Sequence, residues 1–271
     1  MKEKNIFKMD YYKTYYFSNI CNEIIENPID YIRHLDEFWG NGQISYLLNP
    51  FQKHSVLHYF IEHVIDRLFY ESNQNDFPEL NIEELKNHKF WINDTLHYHN
   101  IKHPSFSDWY NLEPLNEDLI FEYLEFIEYS DFYLVLKEQM IEETFFILFM
   151  NRNFLRKFNL NISGIFRMLE INEYNNDITH LLNTKRKLLR KNIPSWAKKA
   201  VFFRDRGTCT YCKKDLSGLI NISNNYHIDH IIPLAKYGFN DISNLQLLCE
   251  SCNTSKGSRH TNVSNEYEKW Y

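Results

Sequence analysis

Two pairs of cysteines constrain the fold of this chain more than any other feature of its sequence. Cys209 and Cys212 are separated by two residues, as are Cys249 and Cys252, and residues 213–248 lie between the pairs. Each pair can present two thiolates at a tight turn, and two such turns form a closed tetrahedral zinc site. Because sulfur fills all four positions, the predicted zinc is structural. Disulfides are the alternative, but no secretion signal favours them.

The charge of the chain is distributed unevenly. The net charge is −6 over 271 residues. Residues 1–184 contain 15 Lys and Arg against 29 Asp and Glu, a net of −14, whereas residues 185–271 contain 15 against 7, a net of +8. A basic region suits nucleic acid, since Lys and Arg bind phosphates independently of sequence. An acidic region of this size would repel nucleic acid, so the two parts should meet different partners.

The N-terminal part shows the spacing of apolar residues that is typical of helices. In residues 55–71 apolar side chains recur every three or four positions, and residues 116–158 continue this pattern with a break near Ser130 and Asp131. No stretch is long and apolar enough for a membrane span, and the first residues lack the apolar core of a signal peptide. We therefore expect a soluble, cytoplasmic protein that does not contact a membrane.

A basic run at residues 185–191 marks the predicted domain boundary. It is interpreted either as a solvated helix face or as a segment that contacts phosphate. Pro194 should separate it from a short helix that has Ser195 as its N-cap. The predicted fold class is α+β: a mainly helical domain over residues 1–184, then a small zinc-containing domain over residues 185–271.

Four stretches in the C-terminal part carry a family resemblance. They read RDRGTCTYC, HIDHIIPLAKYG, NDISNLQLLCESCN and SKG, in that order. Together they resemble the HNH endonuclease domain, which has a ββα-metal fold and, in many members, an accessory Cys₄ zinc. The resemblance runs from about Pro194 to His260 and implies a metal-dependent nuclease.

The resemblance implies a role for each residue of the motif. His230 is the expected general base, and Asp229 and Asn253 are the expected ligands of a catalytic divalent cation. Asn244 is expected to brace the loop that orients His230. A carboxylate and an amide oxygen favour Mg²⁺ or Mn²⁺. Because adjacent strand residues point to opposite faces, Asp229 and His230 require a local bend to converge on one phosphate.

Other polar residues allow two interpretations. Lys256 and Arg259 either contact phosphate or are solvated surface. His227 shares a strand face with Asp229 and is either an auxiliary ligand or phosphate contact, and so a candidate for nucleic-acid binding, or a strand-edge residue without a chemical role. Cys21 is expected to be a small core residue. The N-terminal histidines are expected to be polar positions beside a core or in a loop: His54, His58, His63, His97, His99 and His103.

The leading functional hypothesis is a DNA endonuclease of anti-phage defence or restriction. Its acidic N-terminal domain would dock a protein partner, such as the sensor or ATPase of a defence system. In one alternative, that domain reads the sequence or modification of DNA directly, as in a restriction enzyme. In the other, the chain binds nucleic acid but has lost catalysis.

Overall fold

The computed structural model describes residues 8–39, 46–75, 90–109, 117–168, 176–218 and 225–267. The helices are α1 Thr14–Glu26, α2 Ile32–Trp39, α3 Val56–Asn75, α4 Trp91–Tyr98, α5 Phe106–Trp109, α6 Glu117–Glu128, α7 Asp131–Met150, α8 Arg152–Met168, α9 Ser195–Arg204 and α10 Glu250–Lys256. The strands are β1 Tyr226–His230 and β2 Leu245–Cys249, and short 3₁₀ helices lie at Asn176–Leu181, Leu234–Lys236 and Ile242–Asn244. This architecture confirms the predicted α+β class. Within the described ranges, no helix has the length and apolar character that crossing a membrane requires.

The chain divides into two compact units. The first contains residues 1–21 and 61–147, and the second contains residues 22–60 and 148–271. The boundary predicted between residues 184 and 185 lies inside the second unit. Whether residues 185–271 fold independently stays a prediction.

The first unit has a core of aromatic rings. The ring of Tyr123 on α6 contacts those of Phe90 and Phe106, with centroids 5.4 and 5.2 Å apart. Its hydroxyl donates to the carbonyl of Pro104 at 2.9 Å, so the one polar atom of the ring is satisfied. The break predicted near Ser130 and Asp131 is confirmed, because α6 ends and α7 begins there.

The second unit is organised around α8. This helix buries Phe154, Phe158, Ile162 and Phe166 at intervals of four residues, which is the spacing of one helix face. Two of its polar residues are also buried and reach the C-terminal part. Arg152 Nη1 lies 3.4 Å from Asp205 Oδ1, and Asn159 Nδ2 donates to the carbonyl of Ser243 at 3.1 Å.

The sheet of the second unit is a short antiparallel hairpin. Tyr226 pairs with Cys249 at one end and His230 pairs with Leu245 at the other. All five residues of β2 are buried, whereas β1 is exposed at Tyr226 and becomes buried at His230. The strand β1 therefore leads from the surface to a buried end, where the predicted site residues lie.

Candidate functional site

The four cysteines lie close enough to hold one metal ion. Their Sγ atoms are all within 4.8 Å of one another, and those of Cys212 and Cys249 are 3.7 Å apart. Tetrahedral zinc with bonds of about 2.3 Å would place its sulfur ligands about 3.8 Å apart. The cysteine cluster thus fits the predicted structural zinc.

Backbone hydrogen bonds position the first cysteine pair against the sheet. Cys209 N donates to the Lys214 carbonyl at 2.9 Å, which closes the turn around the pair, and Thr210 N donates to the carbonyl of Leu247 in β2 at 3.0 Å. The second pair lies where β2 ends and α10 begins. Burial opposes ionisation of Cys249, but hydrogen bonds from Ser251 and from the backbone lower the pKa of its thiol to about 6, which suits a thiolate ligand.

The chain bends directly after the two predicted catalytic residues. The pairing of β1 with β2 is regular through Asp229 and His230, so these five strand residues contain no bulge. The strand ends at His230, and a bend follows at Ile231 and Ile232. Asp229 and His230 both line the same cleft, and their convergence on one phosphate stays a prediction.

His230 is buried and kept neutral. Its exposed fraction is 1%, and neither ring nitrogen has a hydrogen-bond partner of normal geometry among the described residues. Burial is the main cause that lowers its pKa to about 4, and the charge of Arg190 acts in the same direction, whereas Asp229 opposes both. Buried polar atoms without partners are rare in folded proteins, and a catalytic role or a bound ion is among the explanations for them. A neutral imidazole with unpaired nitrogens can accept a proton.

Asn244 braces the loop that follows His230. Its Oδ1 accepts from Ile232 N at 2.8 Å, and its Nδ2 donates to the carbonyls of Ile232 at 3.0 Å and Phe239 at 2.9 Å. Asn244 is fully buried, so these bonds are shielded from water. The amide therefore joins both ends of the loop between β1 and the 3₁₀ helix Ile242–Asn244, which is the geometry expected for the middle residue of the motif.

Asp229 and Asn253 offer oxygen atoms at the cleft. Asp229 Oδ2 accepts from Lys256 Nζ at 2.7 Å, and the same amine donates to the carbonyl of His230 at 2.7 Å. Within the described residues, neither Asp229 Oδ1 nor the Asn253 side chain makes a hydrogen bond. A carboxylate oxygen and an amide oxygen fit a hard cation such as Mg²⁺ or Mn²⁺.

These side chains border a cleft of about 650 Å³. Its lining comes from the basic run and from the sheet with α10, and includes Asn183, Lys185, Lys187, Arg190, His227, Asp229, His230 and Asn253. The cleft therefore combines three basic side chains with the predicted general base and metal ligands.

Residues 209–259 match the family model described as HNH endonuclease. This part of the chain is an HNH domain. The match begins at the first zinc-site cysteine and ends just after α10, so it covers the cysteine cluster, both strands and that helix. Searches of curated proteins and of solved structures found no significant match. The HNH domain supports a nuclease-type function.

The three predicted nucleic-acid contacts lie in different surroundings. His227 is half-buried and lines the cleft of the HNH domain, and its Nε2 atom has no hydrogen-bond partner among the described residues. Arg259 is exposed in the turn after α10. Lys256 is buried and its amine already contacts two acceptors, which indicates that it positions Asp229. The roles of these residues in nucleic-acid binding stay predictions.

The residues that the motif did not reveal lie just before the HNH domain. Residues 185–191 form a turn and an extended segment, so the interpretation as a helix face is wrong. Ser195 is the first residue of α9, and Pro194 takes the N-cap position with extended backbone. The signal for Lys185 and Arg190 was the run of positive charge, which does not reveal that they face the cleft.

The remaining candidates have structural surroundings. Cys21 is fully buried in α1, as predicted for a core residue. His58 Nδ1 lies 2.7 Å from Ser55 Oγ, and His99 Nδ1 lies 2.9 Å from the carbonyl of Thr95. Among the described residues, the group of metal-ligating side chains found is the cysteine cluster, and it includes none of the N-terminal histidines.

Proposed function

We propose that this chain is a metal-dependent endonuclease that hydrolyses phosphodiester bonds of DNA and leaves 5′-phosphate and 3′-hydroxyl ends. The observation that carries the proposal is the state of His230, which is neutral, buried and, among the described residues, without a hydrogen-bond partner of normal geometry, at a cleft that Asp229 and Asn253 also line. A candidate proton acceptor and candidate oxygen ligands therefore line the same cleft of the HNH domain.

Asp229 and Asn253 would hold the catalytic cation. A bound Mg²⁺ or Mn²⁺ would neutralise the scissile phosphate and stabilise charge on the departing 3′ oxygen. Lys256 fixes the carboxylate of Asp229 through Oδ2, which leaves Oδ1 as the oxygen available to the cation. The cysteine cluster has a separate role, since a site with four sulfur ligands has no open position for substrate.

His230 would take a proton from the attacking water. The water oxygen forms a bond to phosphorus, the bond from phosphorus to the 3′ oxygen breaks, and the departing oxygen gains a proton from solvent. The pKa of about 4 belongs to the chain without DNA. A phosphate in the cleft would favour the protonated imidazole, whereas the catalytic cation and Arg190 would oppose it.

The acidic N-terminal region is proposed to dock a partner protein of a defence or restriction system. The support is its net charge of −14 over residues 1–184, since regions that read duplex DNA are usually basic. The alternative, in which this region reads DNA modification itself, makes a different prediction. Purified protein alone would then cleave a modified plasmid and spare the unmodified one.

Replacing His230 by Ala tests the nuclease. Loss of a general base typically lowers the rate by about 10²–10⁴-fold, so we expect cleavage of supercoiled plasmid with Mg²⁺ or Mn²⁺ to fall by that factor. The control is His260→Ala, because His260 is exposed and does not line the cleft. Undiminished cleavage by His230→Ala would refute the role of this residue. Absence of cleavage by the wild type under all conditions would favour a silent binding protein.

A further inference from the structure

The HNH family match leaves out one wall of the cleft. It begins at residue 209, whereas Lys185, Lys187 and Arg190 also line the cleft. These three residues belong to a segment, here called the basic turn, that comprises residues 182–190. The cleft is therefore built jointly by the HNH domain and by a segment outside its motif.

Backbone bonds hold the basic turn in a defined shape. Leu182 and Leu188 form an isolated antiparallel bridge, and Asn183 N donates to the Lys187 carbonyl at 2.9 Å. Arg186 has a left-handed backbone with φ of 56°, as a tight turn requires. Leu188 is 3% exposed, so its buried side chain anchors the turn.

Side chains join the basic turn to the loop that follows His230. Asn240 Nδ2 donates to the carbonyl of Leu189 at 2.8 Å. Lys187 Nζ donates to the carbonyl of Ala235 and lies 5.2 Å from the centre of the Tyr237 ring. The amine of Lys187 therefore makes its contacts within the protein. These contacts hold the basic turn against the HNH domain.

Lys185 and Arg190 remain available to a ligand. Both are exposed, and neither makes an ion pair in the part of the chain that the structure describes. Asp229 is the one carboxylate in the described lining, and its Oδ2 atom is paired with Lys256. Unneutralised cations beside a paired carboxylate give the cleft a positive potential, which attracts a polyanion.

We propose that the basic turn is a second nucleic-acid-binding element, in which Arg190 and Lys185 bind backbone phosphates next to the one that is cleaved. Arg190 and Lys185 line the same cleft as His230. Contacts to phosphate fix register and affinity but carry no sequence information. The basic turn therefore contributes salt-dependent affinity that is the same for different sequences. This inference rests on the proposed function of the cleft.

The test measures how binding depends on salt, without cleavage. All proteins carry His230→Ala, and binding to a labelled 20-base-pair duplex is followed by fluorescence anisotropy from about 0.05 to 0.5 M salt. Each lost phosphate contact lowers the slope of log K against log salt by about 0.9. Lys185→Gln with Arg190→Gln should therefore lower the slope by about 2 and weaken binding about tenfold per contact at 0.1 M salt. Lys185→Arg should retain the slope.

The control pair is Lys198→Gln with Lys199→Gln. Both lysines are exposed on α9 and neither lines the cleft, so this pair removes equal charge elsewhere and should leave the slope unchanged. An equal loss in both pairs would overturn the proposal, because it would show a diffuse charge effect. An unchanged slope for Lys185→Gln with Arg190→Gln would also overturn the proposal. So would absence of DNA binding by the His230→Ala parent. Single-stranded DNA and RNA of equal length show which nucleic acid is preferred.

The outcomes separate this inference from the nuclease. If the wild type cleaves plasmid DNA while Lys185→Gln with Arg190→Gln keeps the salt slope of its parent, the binding role of the basic turn is refuted and the proposed nuclease activity stands. If Lys185→Gln with Arg190→Gln lowers the salt slope while the wild type never cleaves, the binding role of the basic turn stands and the proposed nuclease activity is refuted.

Discussion

His230 shows how burial gives one side chain its chemistry. Its exposed fraction is 1% and burial is the main cause of its lowered pKa. An exposed histidine, with a pKa near 6.5, would be partly charged at neutral pH. The order of motif residues in the sequence indicated His230 as the candidate base, and this role stays a prediction. The sequence did not predict the lowered pKa, because that depends on what surrounds the ring in three dimensions.

The lowered pKa predicts how stability depends on pH. Between pH 6.5 and about 4, the unfolded chain binds a proton on His230 and the folded chain does not. The free energy of unfolding therefore falls as pH falls through this range and levels off below it. The shift corresponds to about 3 kcal/mol.

His230→Gln lacks this contribution. Urea denaturation of both proteins from pH 7 to pH 4, without added divalent cation, should show the wild type losing about 3 kcal/mol more than the variant. Other titrating groups are common to both proteins and cancel in the difference. A difference that stays constant with pH would contradict the assigned burial of the ring.

Lys256 was also only half predictable. Its position in SKG indicated either a phosphate contact or solvated surface. The second interpretation is wrong, because the residue is 2% exposed and donates to Asp229 and to the backbone of His230. The sequence shows a positive charge near the motif but not the direction in which it points. The ion pair follows from how α10 packs against β1.

At the scale of elements, the loop between His230 and Asn244 depends on a close backbone approach at Gly238. A Cβ atom at this position would lie 1.9 Å from the carbonyl oxygen of Ile232 and 3.0 Å from Asn244 Nδ2. Both atoms belong to the hydrogen bonds that brace the loop. Glycine is therefore required at this position, because any side chain would overlap the backbone carbonyl of Ile232.

Gly238→Ala should distort this brace. We expect a loss of about 2–4 kcal/mol in the free energy of unfolding, since the added methyl group meets backbone and not a flexible side chain. Plasmid cleavage should fall as well, because the loop orients His230. The measurements are thermal unfolding and cleavage on the same preparation.

Gly164→Ala is the matched control. Gly164 lies inside α8, and a Cβ there meets nothing within 4 Å. Alanine is favoured over glycine in a helix by about 0.5–1 kcal/mol, so this variant should be neutral or slightly more stable. Equal behaviour of the two variants would mean that Gly238 is not constrained by space.

Helix boundaries were predictable where the chain carries a polar break. The pause at Ser130 and Asp131 was visible in the apolar spacing and separates α6 from α7. The next boundary was missed: α7 and α8 are separated by Asn151, whose Oδ1 accepts from Phe154 N at 3.0 Å. Asparagine is a favoured N-cap, but the apolar pattern runs on across it and hides the break.

At the scale of the molecule, α8 contacts the C-terminal part of the chain from far away in the sequence. Arg152 and Asn159 of α8 reach Asp205 and Ser243. Removing one partner of a buried ion pair costs about 3–5 kcal/mol. Local patterns indicated each helix and the motif, but no local pattern reveals which helix covers the motif.

A comparison of fragments tests the predicted boundary. Fragment 185–271 lacks both α8 and residues 22–60. Fragment 148–271 contains α8 but lacks residues 22–60, and the full chain contains both. With zinc present, we expect chelator to remove the metal fastest from the shortest fragment and slowest from the full chain. Equal resistance in all three would support independent folding of residues 185–271.

Two hydrogen bonds join the early and late parts of the second unit. Phe51 N donates to the carbonyl of Asn240 at 2.8 Å, and Val56 N donates to Asp241 Oδ2 at 3.0 Å. A ribosome adds about 5–20 residues per second, so residues 240 and 241 are synthesised roughly ten to forty seconds after residues 51 and 56. A chain released before residue 240 can make neither bond and lacks β2. Interrupted synthesis therefore yields products that lack β2 and an assembled cleft.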